Sequence, residues 1–409
     1  MTAPVYILGG YQSDFARNWQ KEGGDIVSAM CEAAAGALSE TGVEPREVQV
    51  AHVGNFASEL YCHQGQLGAF LLEVDPALSG IPTSRHEAAC ASGGVAILGA
   101  SAEIEAGRYD LALILGVEQM KTVDPATGGD FLGTAAWYER EAKGVEFPFP
   151  KLFGRLGDEY DRRYGLKDEH LAYIAGLNYA NARRNPRAQT RGWFVDEDQK
   201  KADSKFNRPV AGRLKVRDCS QVTDGATALL LASEAFARNY AARRGAALGR
   251  IARVLGWGHR TAPMAFDRKL AESKDSPYVL PHTRGAILDA FRRAGLADVW
   301  GLSGIETHDC FTTSEYMAID HFGITEPGQS WKALEEGVIE LSGRLPVNAS
   351  GGLIGCGHPV GATGVRQVLD AARQVSGQAG DYQIPGATRI GTLNIGGSGT
   401  TSVSFVVGV

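Results

Sequence analysis

The sequence predicts an α/β protein built from two weakly similar halves, and three features predict it. Short apolar runs alternate with helical stretches rich in small residues. The helix predicted over 92–106 carries almost no charge until its end, so protein should surround it on every side. A glycine-rich segment opens a small-residue helix twice, once at Cys90 and once over 358–364, which reads as an internal repeat.

In order along the chain, 5–8, 48–53 and 111–117 read as buried strands, with helices over 26–38 and 92–106 between them. From 121 to about 218 the texture changes to charged and aromatic residues punctuated by Pro125, Pro148, Pro150, Pro186 and Pro209. That stretch is expected to be an inserted, mostly helical unit. Buried-strand character returns at 224–233 and 251–256. A helix over 283–294, a strand near 304–307, a helix after Thr312 and a helix over 363–375 follow. Strands over 388–395 and 401–407 close the chain, joined by Gly-Gly-Ser-Gly, which suits a tight hairpin because glycine tolerates positive φ. The expected division is therefore 1–120 plus 221–258, an insert over 121–220, and 259–409.

Composition narrows the function. At 409 residues with 44% hydrophobic and 22% charged residues, the chain is ordinary for a globular enzyme of two or three domains. A net charge of −6 argues against nucleic-acid or membrane-surface binding. No apolar run approaches the roughly 18 residues of a membrane span, and no secretory signal opens the chain. The six cysteines are scattered, so a reducing cytoplasm is expected, with each thiol acting as filler, ligand or reactive group.

Cys90 stands in Glu-Ala-Ala-Cys-Ala-Ser-Gly-Gly at the mouth of the buried helix. Unpaired amides and a partial positive charge at a helix N-terminus favour thiolate, and should lower a thiol pKa that is about 8.5 when free. His308 and Cys310 lie at the end of a strand in Ser-Gly-Ile-Glu-Thr-His-Asp-Cys-Phe. His358 lies in a glycine-rich loop over 348–364 that is shaped for close backbone approach rather than packing. His308, Cys310, Cys356 and His358 could be read as four zinc ligands, but one-residue spacing within each pair makes a closed tetrahedron awkward, so no metal is expected. The loop lacks the Lys-Ser/Thr of a P-loop, and Leu8-Gly9-Gly10 lacks the rest of a dinucleotide fingerprint.

Together these motifs resemble the thiolase superfamily, most closely its sterol-carrier-protein-2-type branch. Gly116-Val-Glu-Gln-Met120 resembles the strand end before the family's loop domain, and Cys219 to Ala226 the segment returning from it. The 348–364 stretch matches the Gly-His-Pro-x-Gly-Ala-Thr-Gly loop. Two departures define the subtype. His308-Asp-Cys-Phe311 stands where many thiolases have Asn-Glu-Ala-Phe, and Asn394 replaces a second catalytic cysteine in Cys-x-Gly.

The resemblance implies a thiolase fold, five-layered αβαβα from two duplicated halves with an inserted loop domain, and a homodimer or tetramer. It implies an acyltransferase of lipid metabolism that makes or breaks a carbon–carbon bond in a 3-oxoacyl-CoA through an acyl group on Cys90. His358 would be the base, His308 would face the enolate, Cys310 would replace the missing thiol, and Cys90 and Gly396 would supply oxyanion amides. Coenzyme A thioesters would be substrates, with no permanently bound cofactor. Eleven Lys or Arg residues between 183 and 217 offer a seat for the CoA phosphates in the insert. Some relatives act beside a small OB-fold partner. The competing readings are ketoacyl-synthase-like condensation or acyl transfer on a non-CoA acceptor, a thiolase-like aldolase, and a non-catalytic lipid-binding protein.

Overall fold

A computed structural model describes residues 3–194, 205 and 207–409. The strands are β1 (Val5–Gln12), β2 (Val50–Gly54), β3 (Thr83–His86), β4 (Leu111–Glu118), β5 (Pro209–Ala211), β6 (Leu214–Lys215), β7 (Gly225–Ser233), β8 (Ala252–Thr261), β9 (Gly304–Glu306), β10 (Arg389–Gly396) and β11 (Thr401–Gly408). Nine of them run in the order β3-β2-β4-β7-β1-β8-β11-β10-β9, while β5 and β6 form a separate ribbon. The two halves meet at β1 and β8, which share only three residue pairs, Val5–Val254 to Ile7–Ala252.

Fully buried strands read as continuous apolar runs, and β4 and β7 do so. The helices Ser92–Glu105 and Thr363–Val375 pack on one another between the sheet halves. Their crossing needs glycine, because a Cβ on Gly364 would lie 2.3 Å from both the Gly94 nitrogen and Asn394 Oδ1. Ile26–Thr41 covers the outer face of the N-terminal half, and Pro281–Arg293 that of the C-terminal half. The layers are thus helix, sheet, helix pair, sheet and helix, as the resemblance implies.

Every strand and helix expected above exists, with ends within a few residues. The sequence reading missed β3, because Thr-Ser-Arg-His has no apolar run to mark it. Between β4 and β7 the described residues fold mainly as helices, chiefly Pro125–Gly133, Pro148–Tyr164 and Asp168–Ala182. Asn178, Asn181 and Asn185 of the last helix and its end reach the 348–350 segment and its neighbours. Asn181 Nδ2 donates to the Asn348 carbonyl at 3.1 Å, and Asn185 Nδ2 to that of Ser350 at 3.0 Å.

Candidate active site

The parallel pair β2–β3 aims the chain toward its sharpest bend. Ala89 adopts φ 51°, a left-handed conformation uncommon for alanine. Its amide donates to Glu87 Oε1 at 2.6 Å, and Ser92 Oγ, the acceptor of the Ala88 amide at 2.9 Å, donates to the Ala89 carbonyl at 2.6 Å. This turn sets Cys90 just before the helix Ser92–Glu105.

Cys90, His308 and His358 present ligating atoms that all lie within 4.8 Å of one another. The two imidazoles meet edge to face, with centroids 5.2 Å apart. Cys310 is buried and lines the same cavity as Cys90 and His358. The cavity measures about 270 Å³, and its walls are mostly apolar, including Phe56, Leu132, Phe147, Phe149 and Phe153.

The hydrogen bonds decide what each group can do. His358 Nδ1 lies 2.7 Å from Thr363 Oγ1, whose own proton goes to the Pro359 carbonyl at 3.0 Å. Thr363 therefore accepts from Nδ1–H, and the basic lone pair is on Nε2. Asn394 Nδ2 donates to the Cys90 carbonyl at 2.8 Å and approaches His308 Nδ1 at 3.4 Å, a long contact. With Nδ1 facing a donor, the His308 proton sits on Nε2, and that buried atom has no partner among the described residues.

Burial dominates the electrostatics. It pushes the Cys90 thiol up to about 12, with the Glu118 carboxylate adding to the effect. It pulls His358 down to about 3, and drives His308 well below and Cys310 well above their usual values. The expected lowering of the Cys90 pKa by its helix is thus outweighed, and the resting pair is thiol and neutral imidazole. Gly397 lines the cavity with Cys90, and the backbone amides of Cys90 and Gly397 favour the thiolate without offsetting burial. Gly396, the residue named from the sequence, packs so closely that a Cβ on it would lie 2.1 Å from the Ala88 carbonyl oxygen.

Two buried carboxylates hold the loops around this cluster. Glu118 accepts from Asn55 Nδ2 at 2.9 Å and from the amides of Phe56, Ala57 and Gly361 at 2.9, 3.1 and 3.0 Å. Asp309 accepts from the amides of Leu353 and Ile354 at 2.6 and 3.1 Å and from Asn178 Nδ2 at 2.9 Å. Both lie inside motifs quoted above, but side-chain type alone did not distinguish loop-holding acids from reacting ones. Cys356 faces another way, receiving Gln12 Nε2 and Asn185 Nδ2 at 3.6 Å each. The four-ligand zinc set is therefore not assembled. Of the basic residues in the insert, Arg191 pairs with Asp14, Arg213 with Asp158 and Asp161, and Lys215 with Asp168. Lys200 and Lys201 lie outside the described residues.

Two family profiles match this chain: thiolase, N-terminal domain over residues 26–235, and thiolase C-terminal domain-like over 267–409. The chain belongs to the thiolase family. It is 33% identical to an acetyl-CoA acetyltransferase of Methanothermobacter thermautotrophicus over 98% of both chains. It is 29% identical to human sterol carrier protein 2, over 98% of this chain and 71% of that one. Among solved structures, this thiolase superposes on an Ltp2-ChsH2(DUF35) aldolase with a TM-score of 0.78, at 18% identity and 99% and 98% coverage. Human mitochondrial 3-ketoacyl-CoA thiolase in complex with CoA gives a TM-score of 0.67, at 18% identity and the same coverage. These two likenesses concern the fold.

Proposed function

We propose that this thiolase forms or cleaves the carbon–carbon bond of a 3-oxoacyl-CoA through an acyl group carried on Cys90, as an acetyl-CoA C-acyltransferase-type enzyme. The observation that carries this reading is the cluster of Cys90, His308 and His358 within 4.8 Å, with Cys90, His358 and Cys310 lining one apolar cavity. His358 Nε2 takes the Cys90 proton as the sulfur attacks the thioester carbonyl. Because the resting pair is neutral, proton transfer accompanies attack instead of preceding it. The amides of Cys90 and of the 396–397 hairpin tip receive the oxyanion, and the CoA thiolate leaves with a proton from His358.

In condensation, Cys310 first passes its own proton to the now neutral His358, and its thiolate then takes the α-proton of a second acyl thioester. His308 Nε2–H, buried without another partner among the described residues, donates to the enolate oxygen. The α-carbon then attacks the Cys90 thioester, and the Cys90 sulfur leaves with the proton held on His358. Thiolysis runs these steps backwards, with Cys310 returning the proton.

The apolar walls suit an acyl chain, and the segment 219–222 leads from them to the exposed Val222. We assign CoA binding to the insert over 121–220, and we move the expected boundary between the halves from 258 to about 251, because β8 pairs along its length with β11. A homodimer or tetramer, an OB-fold partner and a cytoplasmic setting complete the reading. Among the described residues no helix is long and apolar enough to cross a membrane.

The test of the division of labour is Cys310→Ala. That variant should still become acylated on Cys90, yet lose condensation and thiolysis. Thiolysis at the wild-type rate would refute the role given to Cys310.

A further inference from the structure

We propose that Lys269 is a positioning residue, whose buried ammonium ties down the β10–β11 hairpin tip and so holds the 396–397 backbone beside Cys90 at the oxyanion site. This rests on the acyl-enzyme reading of Cys90. Lys269 belongs to the helix Phe266–Glu272 and is only 4% exposed, a rare state for a lysine. Its Nζ donates to the Ser398 carbonyl at 2.9 Å, Ser398 Oγ at 2.7 Å and Thr400 Oγ1 at 2.7 Å. An ammonium has three donors and no acceptor, so these three oxygens satisfy it completely.

The hairpin needs such an anchor. Gly397 and Gly399 both sit at left-handed φ, 62° and 80°, and glycine gives a tip little stiffness of its own. Backbone bonds fix the hairpin's base, from Thr400 N to the Gly396 carbonyl at 3.0 Å and from Ala262 N to the Thr400 carbonyl at 2.7 Å. Lys269 supplies the side-chain contacts to the tip itself. An oxyanion donor works only if it is in place before charge develops.

The surroundings make the anchor sensitive to pH. Burial pulls Lys269 down to about 8, against the field of Glu141, which accepts from the Phe266 amide at 2.6 Å. On its own helix, Asp267 pairs with Arg155 and Arg268 with Glu272, which His282 also approaches. Residues 396–400 contribute no ionisable side chain. A neutral amine would leave two donors for three acceptors, and the tip would loosen.

The experiment compares two reactions of Cys90 in the full-length chain by time-resolved intact mass. Acylation by acetoacetyl-CoA passes through an oxyanion, whereas alkylation by iodoacetamide does not. In Lys269→Met, acylation should slow at least tenfold while alkylation stays within about twofold, since losing such a donor outright costs roughly 10²–10³. Thr400→Val, which removes one acceptor, should show a smaller loss of the same kind, and Lys269→Arg a partial rescue. The wild-type ratio of acylation to alkylation should fall between pH 7 and pH 9 and stay flat in Lys269→Met. Acylation at the wild-type rate in Lys269→Met, or equal loss of both reactions in it and in Thr400→Val, would overturn the proposal. A wild-type chain that alkylates but never acylates would instead overturn the acyl-enzyme reading.

Discussion

Removing the Thr363 hydroxyl should slow acylation of Cys90 without emptying the site. Thr363 is fully buried and is the only side chain within hydrogen-bond reach of His358 Nδ1 among the described residues. In Thr363→Val the shape is kept, but the Nδ1–H bond at 2.7 Å is lost. A buried donor left unpaired costs about 1–3 kcal/mol, and that penalty falls on the tautomer whose Nε2 is basic. The other tautomer, with its proton on Nε2, escapes the penalty and cannot accept from Cys90. A shift of about 1.4 kcal/mol removes a factor of ten in the competent population, so acylation should fall roughly tenfold to a hundredfold. The assay is the initial rate of Cys90 acylation from acetoacetyl-CoA, read by intact mass beside a thermal melt. Thr363→Ser should recover most of the rate, because it restores the acceptor. A Thr363→Val protein that acylates as fast as wild type would refute the tautomer argument.

Further outcomes follow from the same contacts. Asp309→Ala strands the amides of Leu353 and Ile354 and the Asn178 amide group, so it should destabilise the fold by about 3 kcal/mol or more, measured by denaturant unfolding. Gly364→Ala forces a methyl against Gly94 and Asn394 and should cost about 1–3 kcal/mol, with slower turnover as Asn394 shifts. Burial raises Glu118 from 4.5 to about 7, so the folded chain binds a proton that the unfolded chain has released. Its contribution therefore falls as pH rises from about 4.5 to 7, by up to about 3 kcal/mol, and Glu118→Gln should flatten that part of the stability profile. An unchanged slope in Glu118→Gln would show that other groups set it.

Much of the fold was legible because buried strands and encased helices leave unmistakable patterns. The run Leu-Ala-Leu-Ile-Leu-Gly-Val of β4 and the nearly uncharged helix after Cys90 can only be interior. The strand β3 was hidden, since its Thr-Ser-Arg-His lies at the sheet edge and is only partly buried. In the site, the thiol and the imidazoles could be named from their glycine-rich settings. Three-dimensional facts could not be named. The pKa of Cys90 depends on how deeply the helix mouth is enclosed, and enclosure outweighs the helix's field. That Gly397 joins Cys90 in lining the cavity depends on how the hairpin turns. Lys269 lies more than a hundred residues from the tip it anchors, within an unremarkable charged helix.

The measurement closest to the central claim is the intact mass of the full chain after brief exposure to acetyl-CoA and acetoacetyl-CoA, beside Cys90→Ser. The account predicts a single acetyl adduct on the wild-type chain from either donor, absent from Cys90→Ser. An adduct of equal size and rate on Cys90→Ser, or none on the wild type from either thioester, would contradict it.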